Sequence, residues 1–327
     1  MSDAALTTRS DPKPAISRSP FLRIAGSVLI LTLLVIFLPR HQLWLALRRI
    51  PPSLGMSLLC GYLALHLLGV VKWRLLINLA GADLTFVQAV RCYYMGLFGN
   101  IFLPSMIGGD VVRAGMAFGY TRSKAGVVLG SLIDRIQDVA ALALVAGAGA
   151  LLLPRSLDPH SRRVFWAVGA IFVLAGACGL GSLRLVPIRK FPFKLRRLLV
   201  RVRRGVWSMY RRPARMLLCL CLGMTIQTCL VVISLWLGNA IGLHLAFEIW
   251  LFAWPLAKLS ALLPITQGGI GVREVALVGL LAPFGAPPVL AAACGLVFDA
   301  IVTSGGLVGG VIAFLIRRFT AAPASAL

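Results

Sequence analysis

The sequence predicts an all-α, polytopic membrane protein with an inverted internal repeat, about six full spans and two re-entrant or broken-helix segments. Three observations predict this fold: long apolar blocks, a motif that occurs twice, and an uneven distribution of basic residues. Of the 327 residues, 59% are hydrophobic and 13% are charged, whereas about a quarter of the residues of a soluble domain are charged. The chain therefore lacks the polar residues that a water-exposed surface requires.

The apolar residues are grouped in long blocks. A helix that crosses the hydrocarbon core needs about 20 mainly apolar residues, and several blocks reach that length with their flanks. The blocks comprise residues 24–38, 54–71, 139–153, 164–180, 216–241 and 287–316. We expect each of them to form a transmembrane helix or part of one.

A motif of the form L-P-x-x-x-G-G-x-x-x-R occurs twice, from Leu103 to Arg113 and from Leu263 to Arg273. The copies are 160 residues apart (263 minus 103). The hydropathy order around them repeats as well, because each half has two spans, an interrupted segment and a further span. An odd number of full spans places the two halves in opposite orientations, an arrangement that recurs in transporters.

We divide the chain into a disordered cytoplasmic N-terminus and two membrane repeats. The N-terminus is 1–20, the first repeat is 21–153 and the second repeat is 164–316. The predicted re-entrant segments lie at about 87–120 and about 248–282, around the two copies of the motif. The second repeat also contains a basic stretch, 183–215, with 12 Lys and Arg residues. This stretch predicts a cytoplasmic amphipathic helix, either a topology anchor or a sensor of anionic headgroups.

The basic residues predict the orientation in the membrane. The net charge is +23, which in a soluble protein would indicate a nucleic-acid partner; here we expect no such partner. With a cytoplasmic N-terminus, 24 Lys and Arg residues fall in cytoplasmic pieces and 8 outside them or in the second interrupted segment. The cytoplasmic pieces are 1–23, 72–124, 183–215 and 317–327. By the positive-inside rule, we predict that the chain lies in a bacterial inner membrane with both termini in the cytoplasm.

The residues of the motif suit an anion site. A proline interrupts a helix, and a glycine pair allows a tight turn at a depth where irregular backbone must be buried or line a polar cavity. A half-helix that begins after the glycines has unpaired N–H groups and a positive dipole end. Arg113 and Arg273 then lie about one turn into each half-helix, where a guanidinium can bind two phosphate oxygens.

Several acidic residues are placed to balance these arginines. Asp110 can cap the first half-helix and pair with Arg113, and Glu274 can balance Arg273. These pairs either accompany headgroup binding or only lock the re-entrant tips. Asp134 and Asp138 share one helix face, and they are candidates for counter-ions or for proton coupling.

We predict two sets of site residues. The substrate-binding set is Asn100, Pro104, Ser105, Gly108, Gly109, Asp110, Arg113, Asp134, Arg135, Pro264, Gly268, Gly269, Gly271, Arg273 and Glu274. The coupling or counter-ion set is Asp138, Asp299 and Lys258. We interpret the sequence Lys72-Trp73-Arg74, at the end of the second apolar block, as an interfacial anchor.

Other short motifs are few. The pairs Gly305/Gly309 and Gly306/Gly310 and the Ala-Gly run at 146–150 predict close helix packing within the chain. The seven cysteines form no C-x-x-C pair, and the sequence contains no H-E-x-x-H, G-x-S-x-G or G-x-x-x-x-G-K-[ST] motif. We therefore predict no metal, no cofactor, no catalytic residue and no direct use of ATP.

The segment from Asn100 to Arg113, the pair Asp134-Arg135 and the segment from Leu263 to Glu274 resemble the lysylphosphatidylglycerol synthase transmembrane region family. Its members are also described as flippase-like membrane proteins, and the resemblance covers about residues 20–320. It implies the movement of modified phospholipids between leaflets, and relatives are linked to lipid-linked glycan assembly in archaea and to hopanoid transport. The full synthase has an additional soluble aminoacyl-transfer domain, which we expect this sequence, ending at Leu327, to lack.

The first functional hypothesis is a lipid transporter that moves an anionic phospholipid or a polyprenyl-phosphate-linked intermediate between leaflets. A second is a non-transporting partner, which recruits a lipid- or glycan-modifying enzyme through 183–215. An intramembrane enzyme is a third, although 107–110 reads Ile-Gly-Gly-Asp rather than the Gly-x-Gly-Asp of aspartyl intramembrane proteases. We expect membrane lipids as partners, and a homodimer or a lipid-modifying enzyme as a further one.

Overall fold

The computed structural model describes residues 48–103, 108–153, 211–261 and 271–320, together with residues 45 and 207; side chains are described up to residue 317. All regular secondary structure in these ranges is helical, as the sequence predicts. The predicted spans at 24–38 and 164–180, and most of the basic stretch 183–215, lie outside the described residues.

The first half contains four helices, α1 (Pro52–Leu79), α2 (Phe86–Phe102), α3 (Gly108–Ala117) and α4 (Lys124–Leu152). The second half contains α5 (Pro213–Ile241), α6 (Phe247–Ser260), α7 (Val272–Leu281) and α8 (Pro288–Thr320). Both halves therefore have the order long, short, short, long. The helices α1, α4, α5 and α8 are long and apolar enough to cross a membrane. They cover the four predicted spans in the described ranges to within one residue.

Local chemistry explains where several helices begin and end. Helices α1 and α5 have proline in their first turn, where the missing N–H has no intrahelical partner to lose. Thr85 and Gln88 form a capping box at the start of α2. Helix α5 ends at Gly242, whose φ of 93° is the left-handed conformation that glycine adopts without strain. Helix α2 ends at Phe102, just before Pro104, as expected for a residue that disfavours helix on its N-terminal side.

The two halves interlock through their short helices. Helix α2 of the first half packs against α8 of the second, and α6 of the second half packs against α4 of the first. Glycines allow these close approaches: a Cβ on Gly306 would lie 2.8 Å from Ile101, and one on Gly149 would lie 2.5 Å from the Phe252 nitrogen. The small residues of α4 and α8 therefore pack within the chain.

Many large apolar side chains remain exposed on the outside of the bundle. They include Val128, Leu132, Ile136, Leu144, Leu217, Leu218, Trp236, Leu307, Val311, Phe314 and Leu315. An exposed apolar surface of this extent is unfavourable in water and favourable against lipid tails. The chain is therefore a multi-pass membrane protein, and its long helices present their apolar faces to the bilayer.

The interpretation of Lys72-Trp73-Arg74 as an interfacial anchor is wrong. Helix α1 does not end near Val71 but continues to Leu79, so these residues lie two turns inside it. Trp73 is fully buried and Lys72 is 2% exposed. Without the buried Lys72 and Arg113, the predicted cytoplasmic pieces hold 22 basic residues (24 minus 2); without the buried Arg273, 7 (8 minus 1) lie outside them or in the second interrupted segment. The bias that predicts the orientation persists.

Candidate functional site

A network of three basic and three acidic side chains lies inside the first half of the bundle. The network consists of Lys72 on α1, Asp110 and Arg113 on α3, and Asp134, Arg135 and Asp138 on α4. Six ionised groups at this depth would be expensive to bury singly. Their positive and negative formal charges are equal in number, so each group finds an opposite charge within the protein.

Asp134 is shared by two cations. One carboxylate oxygen accepts a hydrogen bond from Lys72 Nζ at 2.8 Å, and the other accepts from Arg113 Nη2 at 2.7 Å. Lys72 Nζ also contacts Asp138 at 2.6 Å, which is possible because Asp134 and Asp138 are four residues apart on one face of α4. Asp134 thus joins α1, α3 and α4 at a single point.

Asp110 is also shared, between Arg113 at 2.9 Å and Arg135 Nε. The sequence suggested that Asp110 caps the first half-helix, but α3 already includes Gly108 and Gly109, so Asp110 lies inside the first turn. Its carboxylate is occupied by the two arginines. The side chain that binds the start of α3 is Asn100, whose Oδ1 accepts from the Gly109 N–H at 2.8 Å.

The second half has a smaller network around Arg273. Its Nε and Nη2 both donate to Glu274 Oε1 at 3.1 Å, and Nη2 also contacts Asp299 on α8. The other oxygen of Glu274 accepts from the Gly271 N–H at 2.5 Å. Gly271 has a φ of 91°, so glycine is required at the start of α7 for conformational reasons. Glu274 therefore both caps α7 and neutralises Arg273.

Both arginines lie against two aromatic rings. The guanidinium carbon of Arg113 is 5.1 Å from the centroid of Trp73 and 5.3 Å from that of Tyr93. The guanidinium carbon of Arg273 is 5.5 Å from the centroid of Trp254 and 5.1 Å from that of Phe298. Cation–π contacts of this kind hold the planar fork in place where water is excluded.

The two arginines also share a pattern of counter-ion exposure. Arg113 pairs with Asp134, whose side chain is 4% exposed, and with Asp110, which is 14% exposed. Arg273 pairs with Glu274, which is 0% exposed, and with Asp299, which is 15% exposed. Each arginine thus has one carboxylate sealed in the bundle and one that is partly exposed.

Lys258 lies between the two networks. Its Nζ donates to Gln227 Oε1 on α5 at 2.9 Å, and it interacts electrostatically with Asp138 and Arg135 of the first network and with Arg273 of the second. With Lys258 included, five basic and five acidic side chains are grouped here, and we call these ten residues the charge cluster. The chain has only ten acidic residues, so half of them lie in this cluster.

The structure describes some of the other predicted site residues but not all of them. Pro104, Ser105, Pro264, Gly268 and Gly269 lie outside the described residues. Gly108 and Gly109 are described, and a Cβ on Gly109 would lie 2.3 Å from the Gly96 carbonyl oxygen and 2.4 Å from Asn100 Oδ1. Gly109 is thus required for the close approach of α3 to α2, which positions Arg113.

Gly109→Ala is expected to displace α3 from α2 and to destabilise the protein, because backbone atoms of α2 cannot move aside like the end of a flexible side chain. We expect a loss of about 1–3 kcal/mol, measured as a lower midpoint of unfolding in detergent. Gly115→Ala on the same helix is the matched control, since a Cβ there has no neighbour within 4 Å and alanine favours helix. Equal effects of the two substitutions would contradict the argument.

Sequence reasoning missed several members and neighbours of this site. It did not place Lys72 in the charge cluster, and it did not identify the aromatic partners Trp73, Tyr93, Trp254 and Phe298 or the amide of Gln227. A lysine within an apolar stretch was a usable signal, since an intramembrane charge is rarely without a partner. Among the described residues no group of three or more His, Cys, Asp or Glu is placed to bind a metal ion.

Comparison with known proteins gives one result. The family model described as "Lysylphosphatidylglycerol synthase TM region" matches residues 22–310, a range that contains both copies of the motif and the whole charge cluster. No curated protein and no solved structure gives a significant match.

Proposed function

We propose that this chain, which belongs to the lysylphosphatidylglycerol synthase TM region family, moves an anionic phospholipid or a lipid-linked intermediate between the leaflets of the bacterial inner membrane. The observation that carries the proposal is the charge cluster. In it, Arg113 and Arg273 each lie against two aromatic rings, and each pairs with one buried and one partly exposed carboxylate. The more exposed carboxylate can leave its arginine while the buried one remains, which is what the binding of a second anion requires.

The exchange of carboxylates is the basis of the proposed mechanism. A phosphate presents oxygens in the geometry that a guanidinium binds with two hydrogen bonds. A lipid phosphate can replace Asp110 at Arg113, or Asp299 at Arg273, while Asp134 and Glu274 keep the arginines in position. On displacement, Asp110 keeps its contact with Arg135, whereas Asp299 becomes hydrated. The headgroup thereby crosses the apolar bundle without an unpaired charge, which is the main barrier to unassisted movement.

We also propose the topology that this mechanism requires. Helices α2–α3 and α6–α7 are the two re-entrant segments, entering from opposite sides of the membrane in two inverted halves. The matching order of helices and the packing of each short helix on the other half support this arrangement. With both termini cytoplasmic, Arg113 and Arg273 are reached from opposite leaflets, so that a headgroup passes from one to the other.

The test is leaflet exchange of fluorescent phosphatidylglycerol in proteoliposomes, followed with a membrane-impermeant reductant. Arg→Ala substitutions would leave two carboxylates unpaired and disturb the fold, so the informative variant is Arg113→Lys with Arg273→Lys. It keeps both charges and loses both planar forks. We expect exchange to fall by about tenfold or more, with the midpoint of unfolding changed little.

The control for this experiment is Arg215→Lys, at an exposed position at the start of α5. We expect it to exchange lipid at the wild-type rate. Wild-type exchange by the double Arg→Lys variant would remove the arginines from the lipid path. If wild-type protein exchanged no anionic lipid faster than protein-free liposomes, transport of phosphatidylglycerol would be excluded.

A second function is favoured by the name of the family, which is the membrane region of a lipid-modifying synthase. In this proposal the chain is a non-transporting partner that recruits a lipid- or glycan-modifying enzyme through the basic stretch 183–215. A copurifying enzyme that is lost when the basic residues of this stretch are replaced, together with no leaflet exchange, would favour it. Transport by purified protein alone would argue against it.

A further inference from the structure

Lys258 differs from the other basic residues of the charge cluster in its partners. Lys72, Arg113, Arg135 and Arg273 each contact at least one carboxylate. Lys258 Nζ has a neutral partner instead, the amide oxygen of Gln227, which is 5% exposed. Within the parts of the chain that the structure describes, no carboxylate lies within ion-pairing distance of Lys258.

The composition of the chain limits where a carboxylate for Lys258 can come from. Seven of the ten acidic residues are described, and none of them forms an ion pair with Lys258. The seven are Asp83, Asp110, Asp134, Asp138, Glu248, Glu274 and Asp299. The remaining three are Asp3, Asp11 and Asp158. The segments that adjoin Lys258 on α6 and in the second motif contain no acidic residue between Glu248 and Glu274.

The surroundings of Lys258 are positive. Arg273, Arg135 and Lys72 are within electrostatic range, against the single carboxylate of Asp138. Asp138 is already engaged by Lys72 at 2.6 Å. His66 Nε2, a buried atom of a ring that interacts electrostatically with Lys258, has no hydrogen-bond partner among the described residues. Three cations and one carboxylate thus act on Lys258, and this local balance favours an anion beside it.

We propose that Lys258, held by Gln227, binds the phosphate-class group of an anionic lipid at the junction of the two halves, before either arginine releases a carboxylate. The inference rests on the proposed function and adds a residue and a stage to it. Binding at Lys258 displaces only a neutral amide, whereas binding at Arg113 or Arg273 displaces a charged group. In this proposal Lys258 binds the headgroup first and passes it to the arginines on either side.

Gln227→Glu is the decisive variant, because it retains Lys258 and adds a carboxylate at hydrogen-bonding distance. Lys258 then resembles the paired arginines, and the ion pair should keep or raise the midpoint of unfolding. We measure binding of fluorescent phosphatidylglycerol to the full chain in nanodiscs of phosphatidylcholine. The affinity for phosphatidylglycerol is expected to fall about tenfold, which corresponds to the loss of one hydrogen bond to a charged group. Binding of fluorescent phosphatidylcholine should stay unchanged. Lys258→Gln should weaken phosphatidylglycerol binding to a similar extent.

The control is Lys124→Gln, which removes an exposed lysine at the start of α4 and should leave binding at the wild-type value. Wild-type affinity of folded Gln227→Glu and Lys258→Gln variants would overturn the inference. Its failure is separable from that of the proposed function. If these variants also exchanged lipid normally, transport would stand without Lys258; if binding depended on Lys258 but wild-type protein exchanged no lipid, the site would stand and transport would not.

Discussion

Asp134→Asn is expected to lower the free energy of unfolding by about 3–5 kcal/mol, the effect of removing one partner from a buried charge pair. Asparagine has almost the size of aspartate, so the cause is electrostatic. Each carboxylate oxygen of Asp134 accepts from a cation, Lys72 on one side and Arg113 on the other. Whichever way the asparagine amide turns, its NH₂ group faces a positive donor. The substitution therefore leaves a positive charge in the bundle without its counter-ion.

The measurement is unfolding of the purified protein in mixed micelles with an increasing fraction of denaturing detergent. Asp83→Asn is the matched control, because Asp83 is exposed and its φ of 56° is a conformation that asparagine tolerates. A second variant, Asp134→Asn combined with Lys72→Met, restores the charge balance and should recover a measurable part of the loss. Equal stability of Asp134→Asn and Asp83→Asn would show that the cluster does not depend on its central carboxylate.

The sequence predicted the features of the fold that follow from crossing a bilayer. Hydropathy indicated the long helices, because a membrane span must be apolar over its whole length. Pro104 indicated the end of α2, because the residues before a proline leave the helix. The motif indicated that Arg113 and Arg273 are equivalent, and each of them lies on an aromatic pair between two carboxylates. The apolar blocks, the proline and the repeated motif are local in sequence and visible without the structure, whereas the aromatic partners of the arginines are not.

The sequence suggested Asp110 for Arg113 and Glu274 for Arg273, but it left Asp134 and Asp299 as candidates without assigned partners, because the two halves satisfy equivalent arginines from different positions. At an offset of 160 residues, Asp134 corresponds to Cys294, so the second half has no carboxylate there. Arg273 is neutralised by its neighbour Glu274 and by Asp299 on α8. A repeat in sequence predicts which residues carry the charge, but the packing of α7 on α8 determines that Asp299 is the second residue that balances Arg273.

Lys72 shows a second limit of sequence reasoning. At the end of an apolar block, a Lys-Trp pair is typical of the membrane interface. The block ends at Val71 only because Lys72 is charged, whereas α1 continues to Leu79 because Asp134 and Asp138 neutralise the lysine. Hydropathy treats each residue as if it faced lipid. It cannot indicate that a charge on α1 faces an opposite charge on α4, 62 residues away.

Glu274→Gln is expected to have an effect as large as that of Asp134→Asn, about 3–5 kcal/mol, for a related reason. Glu274 is completely buried, and both of its oxygens accept from N–H donors, Arg273 on one side and the backbone of Gly271 on the other. A glutamine in either orientation places its NH₂ group against one of these donors. It must therefore either uncap α7 or lose its hydrogen bonds to Arg273.

A shorter or smaller side chain at this position does not avoid the conflict. Glu274 packs over Gly295, where a Cβ would lie 2.8 Å from the Glu274 Cγ, so the close approach of α8 depends on this side chain having its present position.

Glu248→Gln is the control, because it makes the same substitution at a partly exposed position in the first turn of α6. We expect it to change the unfolding midpoint little, while Glu274→Gln lowers it strongly. Comparable midpoints for the two variants would mean that Asp299 alone is sufficient to neutralise Arg273. Glu274 would then not be needed to hold Arg273 while Asp299 is displaced, and the assignment of one retained carboxylate to each arginine would fail in the second half.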